Sequence, residues 1–195
     1  MILVVACGPP PTPSPSPAPT PPASASAPPA ASSTPGGSHT AVTAVTAEPS
    51  LLAVVPAAAA GLRLDYDPDT TASVAADPAL AADAAALAIG LAVPAGQATP
   101  SEFVIVNVVR LRDPGRDETW FRGWRDTYDQ GACDQAGGVA GNAQTEFNRH
   151  AVFIATCAGG AITYHVRLED GAIVLSLTSV GPGRPGERVM RALPP

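Results

Sequence analysis

Residues 143–180 read AQTEFNRHAVFIATCAGGAITYHVRLEDGAIVLSLTSV, and the fold follows from that stretch. Ile162, Tyr164, Val166 and Leu168 alternate with Thr163, His165, Arg167 and Glu169, the period-two pattern of a half-buried strand. Asp170-Gly171 is a two-residue hairpin signal, and Ala172 to Val180 returns with Ile173, Leu175 and Leu177 on one face. Ala143 to Asn148 and Ala151 to Cys157 add two strands before it, and Gly159-Gly160 makes the turn between the second and the third. Four consecutive strands joined by short links predict an antiparallel meander.

Working outward, Phe103–Arg112 (FVIVNVVRLR) is almost continuously β-branched, so it predicts a strand covered on both faces. Asn107 interrupts it as a hydrogen-bonded amide. Asp117 opens a helix whose Trp120, Phe121, Trp124 and Tyr128 fall on one stripe, the expected helix-on-sheet contact. Glu118/Arg122, Arg122/Asp126 and Arg125/Asp129 are i, i+4 pairs on its other face. Upstream, Gly61–Asp67 alternates as a strand. Asp77-Pro78 starts a helix through Leu80, Ala84, Leu87 and Ala88 that stops at Gly90. Gly181–Pro185 breaks the sheet, and Gly186–Leu193 forms a closing helix carrying Val189, Met190 and Leu193. The fold class is α+β, an antiparallel sheet with helices packed mainly on one face, over residues 50–195.

The segment before this domain is of another kind. Residues 9 to 35 carry 12 prolines, no charge precedes Glu48 and no aromatic residue precedes Tyr66. Such a segment cannot bury enough apolar surface to offset its ordering entropy, and its prolines bias it to extended polyproline II. Residues 8–49 read as a disordered stalk, able to reach about 120 Å at roughly 3.1 Å per residue.

The chain opens Met1-Ile2-Leu3-Val4-Val5-Ala6-Cys7. Val4-Val5-Ala6-Cys7 resembles the lipobox of bacterial lipoproteins. The resemblance implies that Cys7 is lipidated, that the chain is cut before it, and that the domain is held outside the cytoplasm by a membrane anchor. Residues 1–7 are then the remnant of a signal peptide. Only six residues precede Cys7 and none is basic, so the translation start is expected upstream. Gly8 is not the aspartate that marks inner-membrane retention in two-membrane bacteria. With Cys7 assigned to lipid, Cys133 and Cys157 remain as a disulfide pair, which an exported protein can keep.

Composition excludes two classes. The chain has 195 residues and a formal net charge of −6, and its 11 cations are all arginine. That balance excludes a basic nucleic-acid binder. No run of 18 consecutive apolar residues exists, so a polytopic helical membrane protein is excluded too.

No catalytic motif stands out. His39 lies in the stalk, His150 follows Arg149 at a turn between strands, and His165 lies on the polar face of its strand. Asp65, Asp67 and Asp69 surround Pro68 without the glycine or the downstream glutamate of a calcium loop. Gly137–Asn142 lacks the Gly-Lys-Ser/Thr of a phosphate loop. Ser176, Thr178 and Ser179 lack a G-x-S-x-G elbow. No Cys-x-x-Cys or Cys-x-x-His spacing supports a metal, and no cofactor is expected.

The leading expectation is a lipid-anchored, non-catalytic envelope protein that binds a partner protein, a wall polymer or a small ligand. Trp124, Tyr164, His165 and Arg167 are the ligand-binding candidates, since aromatics with an arginine suit sugars or anionic groups. A second reading, a small extracellular hydrolase, needs Asp129, Glu146, His150, Glu169 or His165 to converge in a pocket. A third, a structural spacer or accessory subunit of a secreted complex, predicts an exposed apolar patch and no concave pocket.

Overall fold

The computed structural model describes residues 44–96 and 101–195. The lipobox-like Val4-Val5-Ala6-Cys7 and the expected stalk up to residue 43 lie outside the described residues. The described elements are β1 (Thr46–Ala47), a 3-10 helix (Pro49–Val54), β2 (Leu62–Tyr66), α1 (Pro68–Ala75), α2 (Pro78–Ala81), β3 (Ala84–Pro94) and β4 (Phe103–Leu111). After them come α3 (Glu118–Cys133), β5 (Val139–Phe147), β6 (His150–Cys157), β7 (Ile162–Leu168), β8 (Ile173–Val180) and α4 (Pro185–Ala192).

One eight-stranded sheet runs β1-β3-β4-β8-β7-β6-β5, and β2 pairs with the free half of the β3 edge. Every pairing is antiparallel except the short β1–β3 contact. The last four strands are the expected meander. β4 sits inside the sheet between β3 and β8, and Val104, Val106 and Val108 are fully buried. Because α3 carries the chain from β4 to the far edge at β5, the meander walks back until β8 lies against β4.

The pleat sorts side chains onto two faces. Val104, Val106, Val108, Tyr164, Val166, Ile173, Leu175 and Leu177 form one core face with Val189, Met190 and Leu193 at the end of the chain. On the other, Leu87, Ile89, Val109, Leu111 and Val174 meet Phe121, Trp120 and Trp124 of α3 and Leu80 and Ala81 of α2. Ala75 places α1 on this second face with α2 and α3, so among the described residues three α-helices share it and α4 packs on the opposite one.

The helix expected from Asp77 to Gly90 is the main correction. Only Pro78–Ala81 is helical, and Ala84–Pro94 is the longest strand of the sheet. Alanine is the best helix former, but propensity yields to tertiary context. On the first face, Ala86, Ala88 and Ala92 are at most 3% exposed, and Leu51 and Val55 of the 3-10 segment share their cluster. Small side chains admit that close cover. At Gly90 the approach is closest, since a Cβ there would stand 2.8 Å from the Asp65 carbonyl oxygen and 3.2 Å from the Leu52 side chain.

The same Asp-Pro signal also works at Asp67-Pro68. Asp67 caps α1, its carboxylate accepting from the Thr70 amide at 2.9 Å and from the Thr70 hydroxyl at 2.7 Å. These bonds hold the Asp67 carboxyl below its ordinary range. The domain also starts earlier than residue 50, since Val45 is buried and Thr46–Ala47 pair with β3. Finally, the glycine-rich run at 137–142 supplies the start of β5 at Val139.

Candidate functional site: an arginine-lined cleft

Asp117 caps α3, accepting from the Trp120 amide at 2.8 Å, and so fixes the rotation of the aromatic stripe. Phe121 is buried and meets Phe153 of β6 edge-on, with ring centroids 5.6 Å apart. The Arg125 guanidinium lies 3.7 Å from the Phe153 centroid and 5.2 Å from that of Phe121. Such cation–π contacts hold the guanidinium in place. Burial lowers the Arg125 pKa, and the Glu118 and Asp126 carboxylates oppose that shift. The expected i, i+4 pairs give way here, because Arg125 reaches Glu118 at 3.6 Å while Asp129 turns into the sheet.

Beside this aromatic block a cleft of about 480 Å³ opens between the first half of α3 and the β5–β6–β7 corner. Glu118, Phe121, Arg122, Gln144, Arg149, His150, Ala151, Phe153 and Arg167 line it. Its volume lies in the range of small-ligand sites. Three arginines and one carboxylate line it, in a chain whose net charge is −6. Glu118 is already engaged by Arg125.

The arginines are held differently. The Arg167 guanidinium is fixed, with Nη1 donating to the Arg116 carbonyl at 2.7 Å and Nη2 to the Pro114 carbonyl at 2.9 Å. Its buried Nε has no hydrogen-bond partner. Arg122 and Arg149 are exposed and form no ion pair or hydrogen bond with the described residues. Asn148 and Arg149 make the two-residue β5–β6 link with φ of 48° and 70°, both left-handed. That geometry suits Asn-Gly, and an arginine in the glycine place carries steric strain. The link is anchored on both sides. Asn148 Nδ2 donates to the carbonyls of Arg191 and Leu193, each at 2.8 Å, and His150 Nε2 donates to the Pro194 carbonyl at 2.7 Å.

Below α3 lies a second polar constellation. Asp129 Oδ1 accepts from the Thr163 hydroxyl and from His165 Nε2, the latter at 2.8 Å. His165 Nδ1 meets Ser176 Oγ at 2.9 Å. Tyr128 Oη accepts from Asn107 Nδ2 at 2.8 Å and lies 3.1 Å from Thr178 Oγ1. This is an aspartate–histidine–serine chain, but it is sealed between helix and sheet, with Asp129 7%, His165 0% and Ser176 1% exposed. None of the three lines the cleft. Burial raises the Tyr128 phenol to about 12, against the pull of its Thr178 and Asn107 hydrogen bonds.

The four ligand-binding candidates do not form one site. Arg167 lines the cleft, His165 is enclosed in the buried network, and Trp124 stacks on Trp120 at 5.4 Å within the second core cluster. Tyr164, one residue from His165, points to the opposite face and is 1% exposed. Of the residues named for hydrolysis, only Asp129 and His165 are hydrogen-bonded to each other; His150 lines the cleft. Arg122, Arg149 and Phe153 were not singled out from sequence. Arg149 had a signal, an arginine where a hairpin link favours glycine. Cys133 at the end of α3 and Cys157 at the end of β6 form a disulfide, with Cα atoms 5.1 Å apart. Among the described residues no group of three potential metal ligands clusters, and no helix is long and apolar enough to cross a membrane.

No protein-family model matches the chain, nor does any curated protein or solved structure. The functional reading therefore rests on the chemistry of the cleft and of the buried network.

Proposed function

We propose that this chain is a lipid-anchored, non-catalytic envelope protein whose exported domain binds a ligand in the arginine-lined cleft. The observation that carries the binding role is charge segregation. Three arginines gather around one concavity of an acidic chain, and two of them have no partner among the described residues. Such a concentration of like charge in a concavity raises the local potential and concentrates anions there. Strain at Arg149 agrees, since unfavourable backbone geometry tends to gather at functional sites. The anchor rests on Val4-Val5-Ala6-Cys7, the proline-rich stalk and the Cys133–Cys157 pair, which suits an oxidising compartment.

The hydrolase alternative needs Asp129, Glu146, His150, Glu169 or His165 to converge in a pocket, yet Asp129 and His165, hydrogen-bonded to each other, are enclosed, and of the five only His150 lines the cleft. The spacer alternative expects no concave pocket, which the cleft opposes.

The test is the intact mass of the protein recovered from the membrane fraction, expressed from an extended upstream start. The expected product begins at Cys7 and carries an acylglycerol increment. On reduction it gains roughly 2 Da, for the two hydrogens added to one disulfide. An unmodified chain with three free thiols overturns the anchor.

A further inference from the structure

We propose that the cleft is a phosphoryl-binding site, in which Arg122 and Arg149 clamp the phosphate monoester of a small molecule over the fixed guanidinium of Arg167. The inference rests on the ligand-binding role above and names the ligand's chemistry.

The choice of phosphoryl over carboxylate follows from number and placement. A carboxylate is satisfied by one guanidinium fork, two parallel N–H···O bonds in a plane. Three separate arginines around one cleft exceed that need. A phosphate monoester carries close to two charges at neutral pH and presents three acceptor oxygens in different directions. Arg122 comes from α3, Arg149 from the β5–β6 link and Arg167 from β7, so the cations sit on three elements rather than on one face. Phe121 and Phe153 supply the apolar part of the lining. Arg167 is pre-organised by its two backbone carbonyls, while the unpaired rim arginines are free to close on the ligand.

The experiment is an NMR titration of the full ¹⁵N-labelled chain at constant ionic strength, with inorganic phosphate, sodium acetate, glycerol 3-phosphate and poly(glycerol phosphate) of increasing length. Saturable shifts confined to the amides around Arg122, Arg149, His150 and Ala151, with phosphate but not acetate, are expected. R122A and R149A each weaken phosphate binding by about tenfold, the loss of one charge-assisted contact. Both positions are exposed, so the variants fold. R184A is the control, since Arg184 pairs with Glu187 and does not line the cleft. Glycerol 3-phosphate is expected to bind more tightly per phosphate than poly(glycerol phosphate), whose internal diesters each carry one charge and two free oxygens; affinity per phosphate that rises with polymer length overturns the monoester assignment. Shifts that acetate reproduces, that do not saturate, or that survive R122A and R149A overturn the proposal. If phosphate fails while the Cys7-acylated form is found, the phosphoryl assignment alone falls. Phosphate binding by an unacylated chain removes the anchor and leaves the site.

Discussion

Replacing Asp129 with alanine removes one acceptor that serves two buried donors, the Thr163 hydroxyl and His165 Nε2. Each orphaned buried donor costs about 1–3 kcal/mol. We expect about 4 kcal/mol for D129A. The unit holding it, Thr40–Pro195, has about 150 residues. At that size 1 kcal/mol moves Tm by roughly 3 °C, so D129A melts about 12 °C lower. D129N keeps the shape and one acceptor, and should lose about half as much. The assay is urea unfolding of D129A, H165A and the double variant, with the m-value checked for constancy. Because Asp129 and His165 share a bond, the double variant should cost less than the two singles together, by about 1–3 kcal/mol. A D129A loss below about 1 kcal/mol, or additive singles, would refute a coupled buried network.

Three further outcomes are expected. The C133A/C157A double variant, which opens a link between residues 24 apart, should lose about 3.5 kcal/mol in the chain-entropy model, measured by thermal melting with and without reductant. Burial raises Tyr128 and Tyr164 to about 12, so both phenols should stay neutral past pH 10 in an absorbance titration at high pH. A phenol raised in the fold contributes stability that is full below the unfolded value near 10 and is lost as pH climbs toward 12, so alkaline unfolding should sharpen in that window. R149G should relieve the left-handed arginine and stabilise the fold by about 0.5–1 kcal/mol while weakening phosphate binding in the titration above; a variant that loses both stability and binding would deny the trade-off.

Much of the sheet was legible because its signals are local. Alternation in Ile162–Leu168 and the Asp170-Gly171 turn place His165 opposite Ser176, and the structure pairs those two residues. The link is longer than two residues, since Glu169–Gly171 forms a 3-10 turn, yet its centre and therefore the register are unchanged. The β-branched run at Phe103 and the Asp117 cap were equally readable. The alanine run at 84–94 was not. Its side chains fit a helix or a closely covered strand, and only the layer of Leu51 and Val55 against Ala86 and Ala88 selects the strand.

By itself the sequence determined the meander, the aromatic helix and the contrast between a proline-rich N-terminal segment and an acidic domain, because each depends on neighbours along the chain. Tertiary structure alone decided the two polar clusters. Arg122, Arg149 and Arg167 come from a helix, a hairpin link and a strand, and no spacing relates them until α3 lies across the β5–β7 corner. In the buried cluster, the docking of α3 on the sheet joins Asp129 to His165 across thirty-six residues, a contact no local signal foretells. Adjacency in sequence sets which face a side chain takes; which distant groups share that face is settled only when the sheet closes.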